Sequence, residues 1–171
     1  MFDRFFPDRY VASTYVIDFE KLYEEGVRGV IFDIDNTLVP HGAPADDRAK
    51  ALFARLKKIG FRCCLISNNQ KPRVEMFNKD IQVDYVYNAH KPSTRNYLRA
   101  MEIMGTDRRS SVFIGDQLFT DVWGANRAGI MSILVKPIDK HEEIQIILKR
   151  RLEWIVLFFY KRRLHKHNKK V

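Results

Sequence analysis

Residues 29–37 constrain the fold of this chain more than any other stretch. Gly29-Val30-Ile31-Phe32 is a short apolar run rich in β-branched residues, and such a run bounded by turn residues reads as a buried parallel strand. It passes directly into Asp33-Ile34-Asp35-Asn36-Thr37, placing two carboxylates at spacing i, i+2. In open α/β sheets ligands bind in the crevice beyond the carboxyl ends of the strands. A carboxylate there is costly to bury unless a cation or a hydrogen-bond network receives it. The stretch therefore predicts a fold class and a site together.

The rest of the chain repeats the pattern. Residues 45–59 carry Leu52, Phe53 and Leu56 among Arg48, Lys50, Arg55 and Lys57, an amphipathic helix closed by Gly60, with Asp46 and Asp47 as caps at its start. Residues 61–66 form a second strand ending at Ser67-Asn68-Asn69. A helix over 71–79 tolerates Pro72 in its first turn. A weak strand at 85–87 leads to His90-Lys91-Pro92, and 94–104 is helical. Strand 111–114 ends at Gly115-Asp116, helix 120–128 stops at Gly129, and 131–135 is a fifth strand. Residues 10–26 form a lead-in with Asp18 capping a turn of helix. Alternating strands and helices predict an α/β fold: a Rossmann-like parallel sheet of about five strands with helices on both faces.

Four strand ends thus carry Asp33/Asp35/Thr37, Ser67/Asn68/Asn69, Lys91, and Asp116 with Asp121. A parallel sheet brings them to one edge. Phosphoryl transfer uses these residue types. One carboxylate can attack phosphorus, and a second, two residues on, can protonate the leaving alcohol and then activate water. Mg²⁺ held by carboxylates and waters suits oxygen coordination and screens repulsion between nucleophile and phosphate. The Ser67 hydroxyl and Lys91 are donors for the equatorial phosphate oxygens. Thr37 can instead cap its turn, and Asn68 and Asn69 either cap a loop or touch substrate.

This set resembles the haloacid dehalogenase superfamily of phosphatases over about residues 28–135. Asp33-Ile-Asp-Asn-Thr matches the first motif, DxDxT; Ser67 the second; Lys91-Pro92 the third; and Gly115-Asp116 with Asp121 the acidic fourth. The resemblance implies Asp33 as nucleophile and metal ligand, Asp35 as acid/base whose backbone carbonyl also binds Mg²⁺, Ser67 and Lys91 as phosphate binders, and Asp116 as metal ligand. Asp121 is then an orienting acid. One departure is that four residues separate Asp116 from Asp121, where three are commoner. More narrowly, residues 31–40, Ser67-Asn68-Asn69 and residues 115–126 look like the bacterial YqeG family of subclass IIIA, similar to the mitochondrial phosphatidylglycerophosphate phosphatases of fungi. That similarity implies hydrolysis of a phospholipid head group.

Only 29 residues lie between Thr37 and Ser67, and 23 between Ser67 and Lys91. A separate domain needs on the order of 50, so no cap domain fits, and an open site for a large phosphomonoester is expected. The chain then divides into a capless phosphatase domain over 1–140 and a basic amphipathic tail over 141–171.

Charge sharpens that division. Residues 1–135 hold 19 Lys and Arg against 17 Asp and Glu; residues 136–171 hold 11 against 4. From Glu142 the spacing of Ile144, Ile147/Leu148, Leu152, Ile155 and Phe158/Phe159 is helical, and residues 154–160 are apolar all round. Arg150, Arg151, Lys161, Arg162, Arg163, Lys166, Lys169 and Lys170 flank them. Seven apolar residues make roughly 10 Å of helix against a hydrocarbon core of roughly 30 Å. Such a helix lies on an anionic membrane surface, each basic residue contributing about 1 kcal/mol; the alternatives are packing on the domain or nucleic-acid binding. Phe2, Phe5 and Phe6 join the same surface or staple the core. His165 and His167 have metal-ligand spacing but a basic setting, and His41 and His90 sit beside the site's loops. Adjacent Cys63 and Cys64 read as buried, inert thiols of a reducing compartment. The amino end has no long apolar stretch, so a cytoplasmic protein, peripheral on the inner face of a membrane, is expected. Two further readings remain: a nucleotide or nucleic-acid-end phosphatase, and a non-catalytic RNA- or ribosome-docking protein.

Overall fold

The computed structural model describes residues 2–139 and 144–168, and the side chains of 2–139 and 151–164. Strands β1 (Arg9–Val11), β2 (Gly29–Phe32), β3 (Arg62–Ile66), β4 (Asp84–Val86), β5 (Ser111–Gly115) and β6 (Met131–Val135) form one sheet in the order β1-β6-β5-β2-β3-β4. Every pairing is parallel. The helices are α1 (Phe19–Glu24), α2 (Asp47–Ile59), α3 (Lys71–Asn78), α4 (Arg95–Met104), α5 (Trp123–Ala128) and α6 (Ile144–Asn168).

The sheet has one strand more than the sequence predicts. β1 is three half-buried residues pairing with β6 at the sheet edge, inside the predicted lead-in. Three residues, one of them Arg9, leave no apolar run to read. The predicted helix over 120–128 is two elements, a π-helical turn (Leu118–Val122) running into α5.

Strand alternation divides the core. Val30 and Phe32 pack with Phe19, Leu22, Leu52, Phe53, Leu56, Val74 and Phe77 from α1–α3. Ile31 packs on the other face with Tyr97, Ala100, Met101, Ala125 and Ala128 from α4 and α5. Both faces are thus covered, which is why β2 is apolar at every position. Asp18 and Asp46 accept the amides of Lys21 at 2.9 Å and Ala49 at 2.8 Å, capping α1 and α2. Strand order reverses around β2: the chain runs outward through β3 and β4, then returns to β5 on the other side. That reversal places the crevice of a doubly wound sheet at the end of β2.

Cys63 and Cys64 are free thiols, and burial pushes each up to about 12. At pH 8 the native thiols are expected to react with iodoacetamide roughly a thousandfold more slowly than free cysteine, and at the ordinary rate in urea. Mass spectrometry of the alkylated protein checks this.

Helix α6 packs one stripe on the body and leaves the rest outside. Val156 is buried with Leu118, Val122 and Leu134. Phe2 stacks on Phe159, and Phe6 meets Tyr160 edge-on. Trp154 is 69% exposed, and Leu152, Ile155, Phe158 and Leu164 are exposed with it. Arg151, Lys161, Arg162 and Arg163 are exposed beside them, and Arg163 pairs with Asp3. No helix among the described residues is long and apolar enough to cross a membrane. Glu142, Lys169 and Lys170 lie outside the described residues, as do the side chains of Ile144, Ile147, Leu148, Arg150, His165, Lys166 and His167.

Candidate active site

Asp33 follows β2, Ser67 follows β3, Lys91 follows the loop after β4, and Asp116 follows β5. All four are buried, with Asp121 and Thr37. The Lys91 side chain, 4% exposed, lies between two carboxylates: its ammonium donates to Asp33 Oδ1 at 2.5 Å and to Asp121 Oδ1 at 2.6 Å. Asp33, Asp116 and Asp121 each offer an oxygen within 4.8 Å of the others. Asp33 and Asp121 thus share one ammonium, with the Asp116 carboxylate beside them. Burial opposes the charge on Lys91, but Asp121 and Asp33 outweigh it and hold its pKa above that of ordinary lysine. Burial pushes the Asp33 carboxyl up to about 7 against the pull of Lys91, and Asp121 adds to the rise. Three buried carboxylates offering hard oxygen donors this close together fit a divalent cation.

The π-helical turn accounts for the unusual spacing of the fourth motif. The Trp123 amide bonds to Leu118 O, five residues back, so the turn holds one residue more than an α-turn. Asp121 comes back over the end of β5, with Oδ2 accepting the Gln117 amide at 3.0 Å and Oδ1 accepting Lys91. Both oxygens are engaged. The approach is close enough to require glycine at 115, where an added Cβ would lie 2.5 Å from Asp121 Oδ2.

The other predicted residues take more varied places. Thr37 donates to Asp116 Oδ1 at 3.3 Å and holds that carboxylate. Ser67 Oγ accepts the Asn69 amide at 3.1 Å, which leaves its O–H as a donor. Asn68 spends its carboxamide on the main chain of Lys91, accepting from Lys91 N at 2.7 Å and donating to Lys91 O at 3.3 Å; it positions the lysine. Asp35 is absent from the acidic cluster. Its Oδ1 accepts from Arg73 Nη2 and the Gly42 amide, both at 2.8 Å, and its Oδ2 accepts from Asn69 Nδ2 at 2.8 Å. His41 Nδ1 lies 3.7 Å from the same carboxylate, and His90 is exposed.

Several supporting residues carry no sequence signal. Thr14 donates to Thr37 O at 2.8 Å and Tyr15 to Leu38 O at 2.5 Å, so the lead-in braces the loop after β2. Tyr97 is fully buried and donates to Thr120 O at 3.0 Å. Glu153 of α6 accepts the Leu118 amide at 2.8 Å, at the start of the turn that carries Asp121. Arg73 reads in sequence as one more charge on a surface helix.

A HAD-hydrolase-like family model matches residues 88–145. The probable phosphatase YqeG of Bacillus subtilis (strain 168) is 37% identical over 162 residues, covering 94% of each chain. Phosphatidylglycerophosphate phosphatase 1, chloroplastic/mitochondrial, of Arabidopsis thaliana is 29% identical over 168 residues, covering 88% of this chain and 47% of that protein. The cobalt-bound deoxy-D-mannose-octulosonate 8-phosphate phosphatase of Haemophilus influenzae shares the fold, with a TM-score of 0.52 at 16% identity over 67% of this chain and 70% of that one. With identity to YqeG sustained over almost its whole length, the chain belongs to the YqeG family of HAD-like phosphatases.

Proposed function

We propose that this phosphatase uses Mg²⁺ and Asp33 to hydrolyse the terminal phosphomonoester of phosphatidylglycerophosphate, yielding phosphatidylglycerol. The observation that carries the chemistry is the buried cluster of Asp33, Asp116 and Asp121 about the single Lys91 ammonium. Asp33 attacks phosphorus, the phosphorus–oxygen bond to the alcohol breaks, and Asp35 delivers a proton to the leaving oxygen. Asp35 then takes a proton from water as that water attacks the aspartyl phosphate, releasing inorganic phosphate and regenerating Asp33. Lys91 and the Ser67 hydroxyl hold the equatorial phosphate oxygens. Asp33, Asp116 and the Asp35 main-chain carbonyl would hold Mg²⁺, which supplies charge neutralisation at the transferring phosphoryl group.

The lipid substrate rests on the similarity to the plant phosphatase and on the exposed face of α6. Trp154, Phe158 and Leu152 with nearby Arg151, Lys161 and Arg162 suit the interface of an anionic bilayer. Nucleic acid would be drawn to the same charges and can stack its bases on the aromatic face; the similarity to the plant phosphatase is what favours lipid. The test is inorganic phosphate release from phosphatidylglycerophosphate in mixed micelles with Mg²⁺, wild type against Asp33→Asn. Release confined to the wild type supports the reading; none above the variant rejects it.

Deleting residues 150–171 cannot test the membrane role cleanly, because Glu153 supports the turn that carries Asp121. Trp154→Glu with Phe158→Glu alters only exposed side chains. Hydrolysis of lipid in anionic vesicles is expected to fall roughly tenfold or more, with turnover of a soluble aryl phosphate kept. Equal rates on vesicles would remove α6 from membrane docking.

A further inference from the structure

The carboxylate to which the proposed mechanism assigns proton transfer is held away from the acidic cluster by a set of donors. Arg73 meets Asp35 Oδ1 through Nη2 at 2.8 Å and Nε at 3.2 Å. The Gly42 amide joins on the same oxygen, and the Asn69 carboxamide takes the other, each at 2.8 Å. These donors come from the loop after β2, the loop after β3 and helix α3. A guanidinium fork, a main-chain N–H and a carboxamide converging on one point form an anion cradle, filled at present by the chain's own carboxylate. The cradle is also incomplete. The Arg73 side chain is only 13% exposed, and its Nη1 is buried with no hydrogen-bond partner among the described residues. An unmade bond of that kind is costly, and an anion larger than a carboxylate can reach the extra donor.

We propose that Arg73, with Asn69, is the binding site for a second anionic group of the substrate, a phosphodiester, which takes the cradle in exchange for Asp35. One monoanion replaces another, so the charge within the cradle is conserved, while Asp35, released as a carboxylate, takes a proton from solvent and delivers it to the leaving oxygen at Asp33. Asp33 and Asp35 are two residues apart, and their Cα atoms can be separated by at most about 7 Å. A phosphomonoester at Asp33 and an anion in the cradle about Asp35 are thus held from two positions of one loop, which suits a short carbon bridge. The substrate class is a phosphomonoester joined through a short polyol to a phosphodiester. A phosphomonoester without the second anion leaves the Arg73–Asp35 pair in place and is turned over poorly, which gives selectivity without a lid. The inference rests on the phosphoryl site proposed above and deepens it.

The test measures kcat and KM for water-soluble short-chain phosphatidylglycerophosphate and for glycerol 3-phosphate, with wild type, Arg73→Ala and Arg73→Lys, whose urea midpoints report that each folds. Wild type is expected to favour the diester-bearing substrate in kcat/KM by roughly a hundredfold, and Arg73→Ala to lose most of that ratio, through a higher KM for the diester-bearing substrate and a higher kcat for glycerol 3-phosphate, whose turnover no longer waits on release of Asp35. Arg73→Lys restores part of it, since a single ammonium keeps the charge but not the fork. A purely structural Arg73 would lower both substrates together and leave the ratio intact, and that result overturns the exchange alone. Failure of wild type to cleave the diester-bearing substrate while cleaving glycerol 3-phosphate overturns the exchange and the lipid reading together.

Discussion

Lys91→Met is expected to abolish turnover and to cost about 3–5 kcal/mol of stability at pH 8 in chelator. The side chain is nearly sealed from solvent and donates to both Asp33 and Asp121. Methionine fills similar volume but takes the ammonium from both Asp33 and Asp121. The loss should depend on pH in a defined direction. Asp33 already sits at about 7, raised from an ordinary value near 3.8, so the folded protein holds that proton more tightly than the unfolded chain. The corresponding stability is fully present below about 4 and is lost as pH rises through 7. Removing the ammonium raises the carboxyl further, so the deficit relative to wild type should shrink between pH 8 and pH 5.5. Urea unfolding at the two pH values measures this, and adding Mg²⁺ at pH 8 should recover part of the difference.

Asp33→Asn separates activity from stability. The amide keeps the shape but cannot attack phosphorus, and loss of a nucleophile costs on the order of 10⁴-fold or more in turnover. Stability in chelator at pH 8 should hold or rise, because burial and Asp121 together oppose the charged form of Asp33. A melting temperature at or above that of wild type, with no measurable turnover, would show a site that retains charge at the expense of stability. A melting temperature several degrees lower would mean that the Lys91 ion pair outweighs the burial cost.

The fold was legible wherever a strand is buried on both faces. Gly29-Val30-Ile31-Phe32 and Val112-Phe113-Ile114 are continuous apolar runs because helices cover each side, and Asp33 and Asp116 follow them within two residues. β1 was hidden because an edge strand needs no such run. The acidic cluster and Lys91 were legible because charged residues immediately after buried strands have few structural uses. Their partners were not. Arg73 sits on a helix whose surface charges look alike in sequence, and only the fold shows that it closes on Asp35 rather than facing solvent. Glu153 is one acid in a basic helix, and its bond to the Leu118 amide spans 35 residues. The extra residue between Asp116 and Asp121 departs from the commoner spacing in sequence, and the π-helical turn accommodates it. The tail showed its apolar content but not which stripe packs, because residues 154–160 are apolar on every side and Val156 and Tyr160 differ from Trp154 and Phe158 only in what lies against them.

The measurement that bears most directly on the account is capture of the phosphoenzyme. Wild-type protein mixed with phosphatidylglycerophosphate and Mg²⁺ and quenched in acid within one turnover should carry phosphate as an acyl phosphate, cleaved by hydroxylamine, on the peptide containing Asp33. Phosphate released from the lipid at full rate with no label on Asp33 at any time, or with label on another residue, would contradict it.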